Sequence, residues 1–426
     1  MSPWRAAWAD YRQAVGRFSR PARHYLLGEL LAWTALGIFQ VLFNLFLVER
    51  HFQPGFIGRA VSFHGLGLAL AALPAGLLAE RWGRRRALIL GALLDGTGLA
   101  LRVTMPVPAL ILASGLVSGA GQALLAIAAA PFLTEHSTPH ERTHLFSAFF
   151  ANSLIAGVIG NLLGGWLPGA VRALPLSPRP DAALAYRVTL LFGAALALLA
   201  ATPLMRLGDL KEERIENSRD QVSREDRRKL VPITFNALCI GMGAGLVIPF
   251  MNLYFATRFH STSGQIGVMF SIAQVSTAIA ALLGPVIARR FGKLRTATIS
   301  EVLSLPFLVT LGAERRLAVA AGAFWIRASL MQAAAPLLQA FVMESLPAAL
   351  RARGSSLINM VWNVGWAISA TLAGAVIERF GYAVPFYITA LLYGTAAAIM
   401  FFAFRREPEV HAAADAAPLQ PEPAPE

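Results

Sequence analysis

The chain has 426 residues, of which 56% are hydrophobic and only 14% charged, with a formal net charge of +13 and a single cysteine. A water-soluble domain carries about a quarter charged residues, so with a mean hydropathy of +0.56 a single soluble core is excluded. The lone Cys239 likewise excludes an intrachain disulfide or a thiolate metal cluster.

In chain order, the first 23 residues place Trp4, Trp8, Tyr11, Val15 and Phe18 on one narrow helical stripe, with Arg5, Arg12 and Arg17 pointing elsewhere. That is the pattern of a helix lying along the membrane interface, with packing on a protein surface as the alternative. A short apolar region followed by a small-residue cleavage site is missing, so the segment does not read as a secretory signal. Apolar runs of about 20 residues, the length that crosses about 30 Å of hydrocarbon, then recur. Spans are predicted at 26–48, 56–79, 87–105, 107–135, 144–167 and 185–205, and again at 231–257, 265–288, 296–312, 317–345, 354–378 and 383–404. Stretches such as Ala69 to Leu78 and Leu190 to Ala201 lack the alternation of barrel strands, so the spans are helices. Residues 206–230 are densely charged and read as a water-exposed connector, and 405–426, rich in Pro, Ala and Glu, read as a disordered tail. The predicted architecture is an all-α membrane protein of twelve transmembrane helices in two six-helix bundles, 24–205 and 231–404.

Lys and Arg are distributed unevenly between the two sides. The side holding the N-terminus, residues 81–86, the connector and residues 289–295 carries 26 of the 37, and the opposite side and span edges carry 10. Positive loops stay in the cytoplasm, so both termini are expected there, and a bacterial inner membrane is the expected location. The net positive charge is thereby explained by topology and anionic lipid, with no aromatic and basic module for nucleic acid.

Laid on each other at an offset of 209 residues, the halves repeat unlike features together. Glu80-Arg81-Trp82-Gly83-Arg84-Arg85-Arg86 falls on Arg289-Arg290-Phe291-Gly292-Lys293-Leu294-Arg295, Glu135 falls on Glu344, and Asn152 falls near Asn363. Duplicated bundles are the mark of transporters that rock about a site near the bilayer midplane. The segment Gly76 to Arg86 resembles the loop signature G-x-x-x-D-R-x-G-R-R of the major facilitator superfamily, with Glu80 for the usual Asp. The resemblance implies a gating role for Gly76, Glu80, Arg81, Gly83, Arg84 and Arg85, through a breakable contact between halves; a basic turn that only fixes topology is the alternative. Gly157, Gly160, Gly164 and Gly165 resemble the glycine-rich motif of antiporters in that superfamily, although Asn161 replaces its proline. Small residues so spaced also serve plain helix packing. The fourth span lacks the arginine usual in drug/proton antiporters of the superfamily.

A charge within a span costs about 2.5 to 3.5 kcal/mol on insertion scales, so each should face protein or a wet cavity. Glu29, Asp95, Arg102, Glu301 and Arg327 stand out. Asp95 and Glu29 are candidate proton-coupling carboxylates; a fixed partner for a buried cation is the other reading of Asp95, the third helix being peripheral in the superfamily that the chain resembles. Arg327 needs an anion, from protein or substrate. The resemblance makes the first, fourth, seventh and tenth spans line the pathway. There, and in the eleventh span, Trp33, Gln40, Asn44, Gln122, Asn236, Gln332, Asn359, Trp362 and Asn363, with Arg327, are the candidate substrate-binding residues, interhelical hydrogen bonding being the bland alternative for each.

No Walker phosphate loop, metal-binding H-E-x-x-H pair or nucleophile elbow occurs. The chain therefore reads as no enzyme, with no cofactor and no metal. It reads as a gradient-driven transporter of a small organic solute, coupled to protons and acting as a monomer in lipid. The preferred subtype is proton-coupled export; uptake of organic anions and a non-transporting membrane sensor are the alternatives.

Overall fold

The computed structural model describes residues 18–175, 180–207, 224–345 and 348–404, and within them twelve helices are long and apolar enough to cross a membrane. They are α1 (Arg20–Glu49), α2 (Pro54–Trp82), α3 (Arg84–Thr104), α4 (Pro108–Glu135), α5 (Pro139–Arg172), α6 (Ala182–Leu199), α7 (Arg224–Val247), α8 (Ser263–Phe291), α9 (Lys293–Ala313), α10 (Leu317–Ser345), α11 (Ala348–Phe380) and α12 (Ala383–Phe404). A short piece, Ala201–Leu204, extends α6, and α7 continues through a 3-10 turn, Ile248–Phe250, into Met251–Phe259. Most of the interfacial stripe, of the charged connector and of the tail lies outside the described residues. Phe18, the last residue of the stripe, is buried in a cluster with Ala22, Tyr25 and Leu145, so this one residue packs on protein.

The sequence sets most helix starts locally. Pro opens α2, α4 and α5, where its fixed φ suits a first turn that lacks an amide partner anyway. Ser19 and Asp181 cap α1 and α6 by accepting from Ala22 and Leu184 amides, and Thr262 with Gln265 forms a reciprocal capping box on α8.

The α2–α3 and α8–α9 links are one residue long. Gly83 sits at φ 87° and ψ 147°, and Gly292, 209 positions later, at φ 88° and ψ 155°. This region of backbone space is close to glycine-only. Nothing lies within 4 Å of where a Gly83 Cβ would stand, so conformation, not space, demands glycine. Gly83→Ala is therefore expected to destabilise the protein by about 1–3 kcal/mol. Gly169→Ala, in equally open space within α5 and without the positive φ, should be neutral or mildly stabilising. Thermal melts in detergent read both; equal melting temperatures would refute this account of the turn.

In the first half α4 packs on α2 and α3, α1 on α5 and α6, and α3 on α6; in the second, α7 packs on α11 and α12, and α9 and α8 on α10. The halves meet through α2 on α11 and α5 on α8. Those seams join at the end of the bundle away from the Gly83 and Gly292 turns, here the distal end. Thr371 Oγ1 donates to Ser62 Oγ (2.7 Å), Ser62 Oγ to the Ala367 carbonyl (2.7 Å) and Ser263 Oγ to the Gly165 carbonyl (3.0 Å). Backbones touch where Gly58 meets Ala370 and Gly374 meets Pro54 and Gly55.

At the distal end the main apolar core runs through both halves, including Ile57, Phe250, Ile266 and Ala373. Nearer the opposite, basic end the clusters are each confined to one half. Along α2, Ile57, Gly58 and Ala60 are buried while Leu70, Leu73 and Leu77 are exposed. The halves are thus closed at the distal end and part toward the basic end.

Candidate functional site

Each half carries its own cavity. That of the first half, about 390 Å³, is lined among others by Glu29 and Trp33 of α1, Asp95 of α3 and Gln122 of α4. Glu29 is 7% exposed; its Oε2 accepts from Asn152 Nδ2 (2.7 Å), which also donates to the Leu26 carbonyl (2.9 Å).

Asp95, 6% exposed, accepts from Ser118 Oγ at 2.7 Å. Since the hydroxyl spends its one proton there, its oxygen accepts from His64 Nδ1 at 3.3 Å. The far nitrogen of His64 meets the Gln122 side-chain amide at 3.2 Å. Asp95, Ser118, His64 and Gln122 thus form a chain of polar groups that leaves the cavity at Asp95 and returns to it at Gln122. The third helix reaches the cavity and is not merely peripheral. Arg102, two turns further along α3, donates to the Ala60 carbonyl (3.1 Å) and lies over the Phe43 ring at 4.0 Å. It forms no direct ion pair with Asp95 among the described residues, as their spacing implied.

The cavity of the second half, about 340 Å³, is lined by Asn236 of α7, Glu301 of α9, Met331 and Gln339 of α10, and Ser355, Asn359 and Trp362 of α11, with apolar neighbours. Glu301 is 4% and Asn236 2% exposed. Each third helix of a half therefore supplies a buried carboxylate, Glu301 lying one turn short of the position that the 209-residue offset assigns to Asp95. Among the described residues lining the two cavities there are three carboxylates, Glu29, Asp95 and Glu301, and no Lys or Arg.

Of the predicted substrate-binding residues, Trp33, Gln122, Asn236, Asn359 and Trp362 line a cavity, and five do not. Arg327, 3% exposed, donates to the Tyr393 hydroxyl at 3.2 Å with its guanidinium 5.8 Å from that ring. Its partner is a phenol, neither carboxylate nor cavity. Gln332 and Gln40 are exposed outside both linings, and Asn363 Nδ2 donates to the Asn359 carbonyl of its own helix (2.8 Å). Asn44 belongs to a clasp at the distal end. Its Nδ2 donates to the Pro249 carbonyl (2.5 Å) and to Asn252 Oδ1 (3.1 Å), and Asn252 Nδ2 donates to the Gln40 and Val41 carbonyls (3.2 and 3.0 Å). The Pro249 carbonyl is accessible because the helix is interrupted there by its 3-10 turn.

In the predicted gating loop, Arg84 pairs with Glu135 at the end of α4 (2.5 Å) and Arg85 donates to the Met205 carbonyl (2.5 Å), so these cations tie the loop to its own half. Glu80 and Arg81 are exposed, and Gly76 faces Ile127 of α4. The glycines of α5 act in packing: Gly160 and Gly164 lie against Gly37 and Ile38 of α1, and Gly157 and Gly165 against Gln274 and Gly267 of α8 in the other half. Two participants escaped the sequence reading. His64 was a solitary polar residue in an apolar span, and Asn152 was noted only as a repeat position; neither has a spacing that names its partner.

Residues 25–232 and 233–426 each match the family model described as Major Facilitator Superfamily. Over 152 residues the chain is 28% identical to the multidrug resistance protein MdtH of Yersinia pestis (strain Pestoides F), a match covering 34% of this chain and 37% of that protein. The MdtH of Yersinia pseudotuberculosis (strain YPIII) matches to the same extent. The chain thus matches little over a third of the length of these curated relatives. Among solved structures, a bacterial homolog of the human lysosomal transporter Spinster, inward-facing and occupied, superposes with a TM-score of 0.74 at 15% identity, covering 93% of this chain and 97% of that one. The nucleoside transporter NupG gives 0.71 at 15% identity, over 91% and 100%. A D-xylose–proton symporter gives 0.70 at 15% identity, over 90% and 97%. At these identities the likeness is one of fold.

Proposed function

The chain belongs to the major facilitator superfamily, and from that premise we propose that it is a gradient-driven secondary transporter that exports amphipathic organic solutes in exchange for protons by alternating access. The observation that carries the subtype is the composition of the two cavities: apolar and aromatic walls, three buried carboxylates and no cation among the described lining residues. Such walls favour solutes with an apolar body and a basic or neutral polar group. An anion would meet unfavourable charge, and Arg327, which motivated the anion reading, is engaged by Tyr393. The name of the MdtH relatives, multidrug resistance protein, is in keeping with this class of solute.

With the basic end read as cytoplasmic, the closed distal end and parted basic end are the inward-open stage of the cycle. Glu29 and Asp95, neither held by a direct ion pair among the described residues, are the groups proposed to exchange protons as the cavity changes sides.

The test is proton movement in sealed proteoliposomes containing a pH-sensitive dye, with an imposed pH gradient, challenged in turn with amphipathic amines, sugars and organic acids. The expected result is discharge of the gradient by amines alone. Amine equilibration that moves no protons would overturn the coupling, and discharge by organic acids alone would overturn the solute class.

A further inference from the structure

We infer that the cavity of the second half is a two-point binding site for lipophilic amines that also carry a hydrogen-bond acceptor, with Glu301 receiving the ammonium group and Asn236 donating to the acceptor. The inference rests on the transport reading for the purpose of the site, while its test is binding, which requires neither transport nor protons.

Glu301 sits on α9 at 4% exposure in the lining of the 340 Å³ cavity. Its carboxylate forms no ion pair among the described residues, since Arg327 on the adjoining helix is turned to Tyr393. The Asn236 side chain, 2% exposed, lines the same cavity with its Nδ2 buried and without an acceptor among the described residues. A buried donor with no partner is costly, and such a group calls for an explanation. Among the described residues, one side of the cavity thus presents a carboxylate with no cation paired to it, and another a donor without an acceptor.

Between them the wall is apolar apart from amides and Ser355, with Met331 among its apolar members. Trp362, whose ring is tilted against that of Trp366 with centroids 5.2 Å apart, offers an aromatic face that favours a cation. A simple hydrocarbon would leave both polar groups unsatisfied, and a carboxylate ligand would face Glu301. An amine with a carbonyl, ester or ether oxygen satisfies both at once.

Three probes separate the two points. 2-(Dimethylamino)ethyl benzoate has an amine and a carbonyl; 3-methylbutyl benzoate replaces its nitrogen by carbon; N,N-dimethyl-4-phenylbutylamine keeps the amine and replaces the ester by methylenes. Binding to purified full-length protein in detergent, read by calorimetry, is expected to favour the first over each of the others by about ten- to a hundredfold. Glu301→Gln should abolish the preference over the carbon isostere while leaving the affinity for 3-methylbutyl benzoate unchanged, which also shows that the variant is folded. Asn236→Leu should abolish the preference over the phenylbutylamine and keep the amine preference. Equal binding of all three probes by wild type, or preferences that survive both substitutions, would overturn the inference. Either result leaves the proton measurement in vesicles to stand or fall separately.

Discussion

Oxidising a chain that carries Ser62→Cys and Thr371→Cys in a Cys239→Ser background is expected to reduce solute movement to the level of empty vesicles, and reduction should restore it. The two hydroxyl oxygens are 2.7 Å apart across the α2–α11 seam. Their replacements by sulfur need only a small approach to reach the 2.03–2.05 Å of a disulfide bond. Cys239 is the sole native cysteine and is buried, so the background removes competing pairings. The bond would hold together the end at which the halves are closed. Alternating access requires that end to open, and a covalent tie cannot be broken by the modest free energies of solute binding. Each single cysteine should transport normally under oxidant. Full transport by the cross-linked double variant would show that the seam does not open at Ser62, and the rocking model would fail there.

The second large effect is expected at Asp95. Asp95→Asn should abolish solute accumulation against its gradient and the accompanying proton flux, while solute exchange at equal concentrations continues. The amide keeps the size of the carboxylate and an oxygen that still accepts from Ser118, so the packing of α3 on α4 is retained. What is lost is the ability to carry a proton or a charge. The measurement is the dye-filled vesicle assay run beside radiolabelled exchange. Persistent accumulation by the variant would return Asp95 to a structural role as counter-charge for Arg102 and leave Glu29 as the coupling residue to be tested.

The twelve spans were legible because lipid imposes a length on every apolar run, and the fold is all-helical as expected. Helix ends were less legible. α5 runs from Pro139 to Arg172 and α11 from Ala348 to Phe380, several residues past the apolar stretches at 144–167 and 354–378. A helix persists into the interface, where hydropathy no longer marks it. The turn at Ile248–Phe250 was also invisible to hydropathy, although Pro249 lies there and removes an amide donor.

For the site, the sequence located the buried charges but not their directions. Asp95 and Glu301 project into cavities from helices that composition alone gave no reason to place there, and Arg327 is buried as expected yet turned to a phenol on α12. The glycines at 241, 243 and 245 pack against Trp362, Tyr393 and Trp366, close approaches that a single sequence marks only as small residues. Which face of a helix meets which neighbour is fixed by tertiary packing, and that is where single-sequence reading stops.

The described lining of each cavity comes from one half alone, and this separates occupancy from movement. A molecule that fills only one cavity keeps the same contacts whichever way the halves lean, so it binds both arrangements equally and shifts neither. Only a solute long enough to engage the opposite half as well acquires a preference between them. Small ligands of a single cavity should therefore occupy the protein without biasing its two arrangements, and molecular reach, independently of affinity, sets how strongly a solute favours one of them.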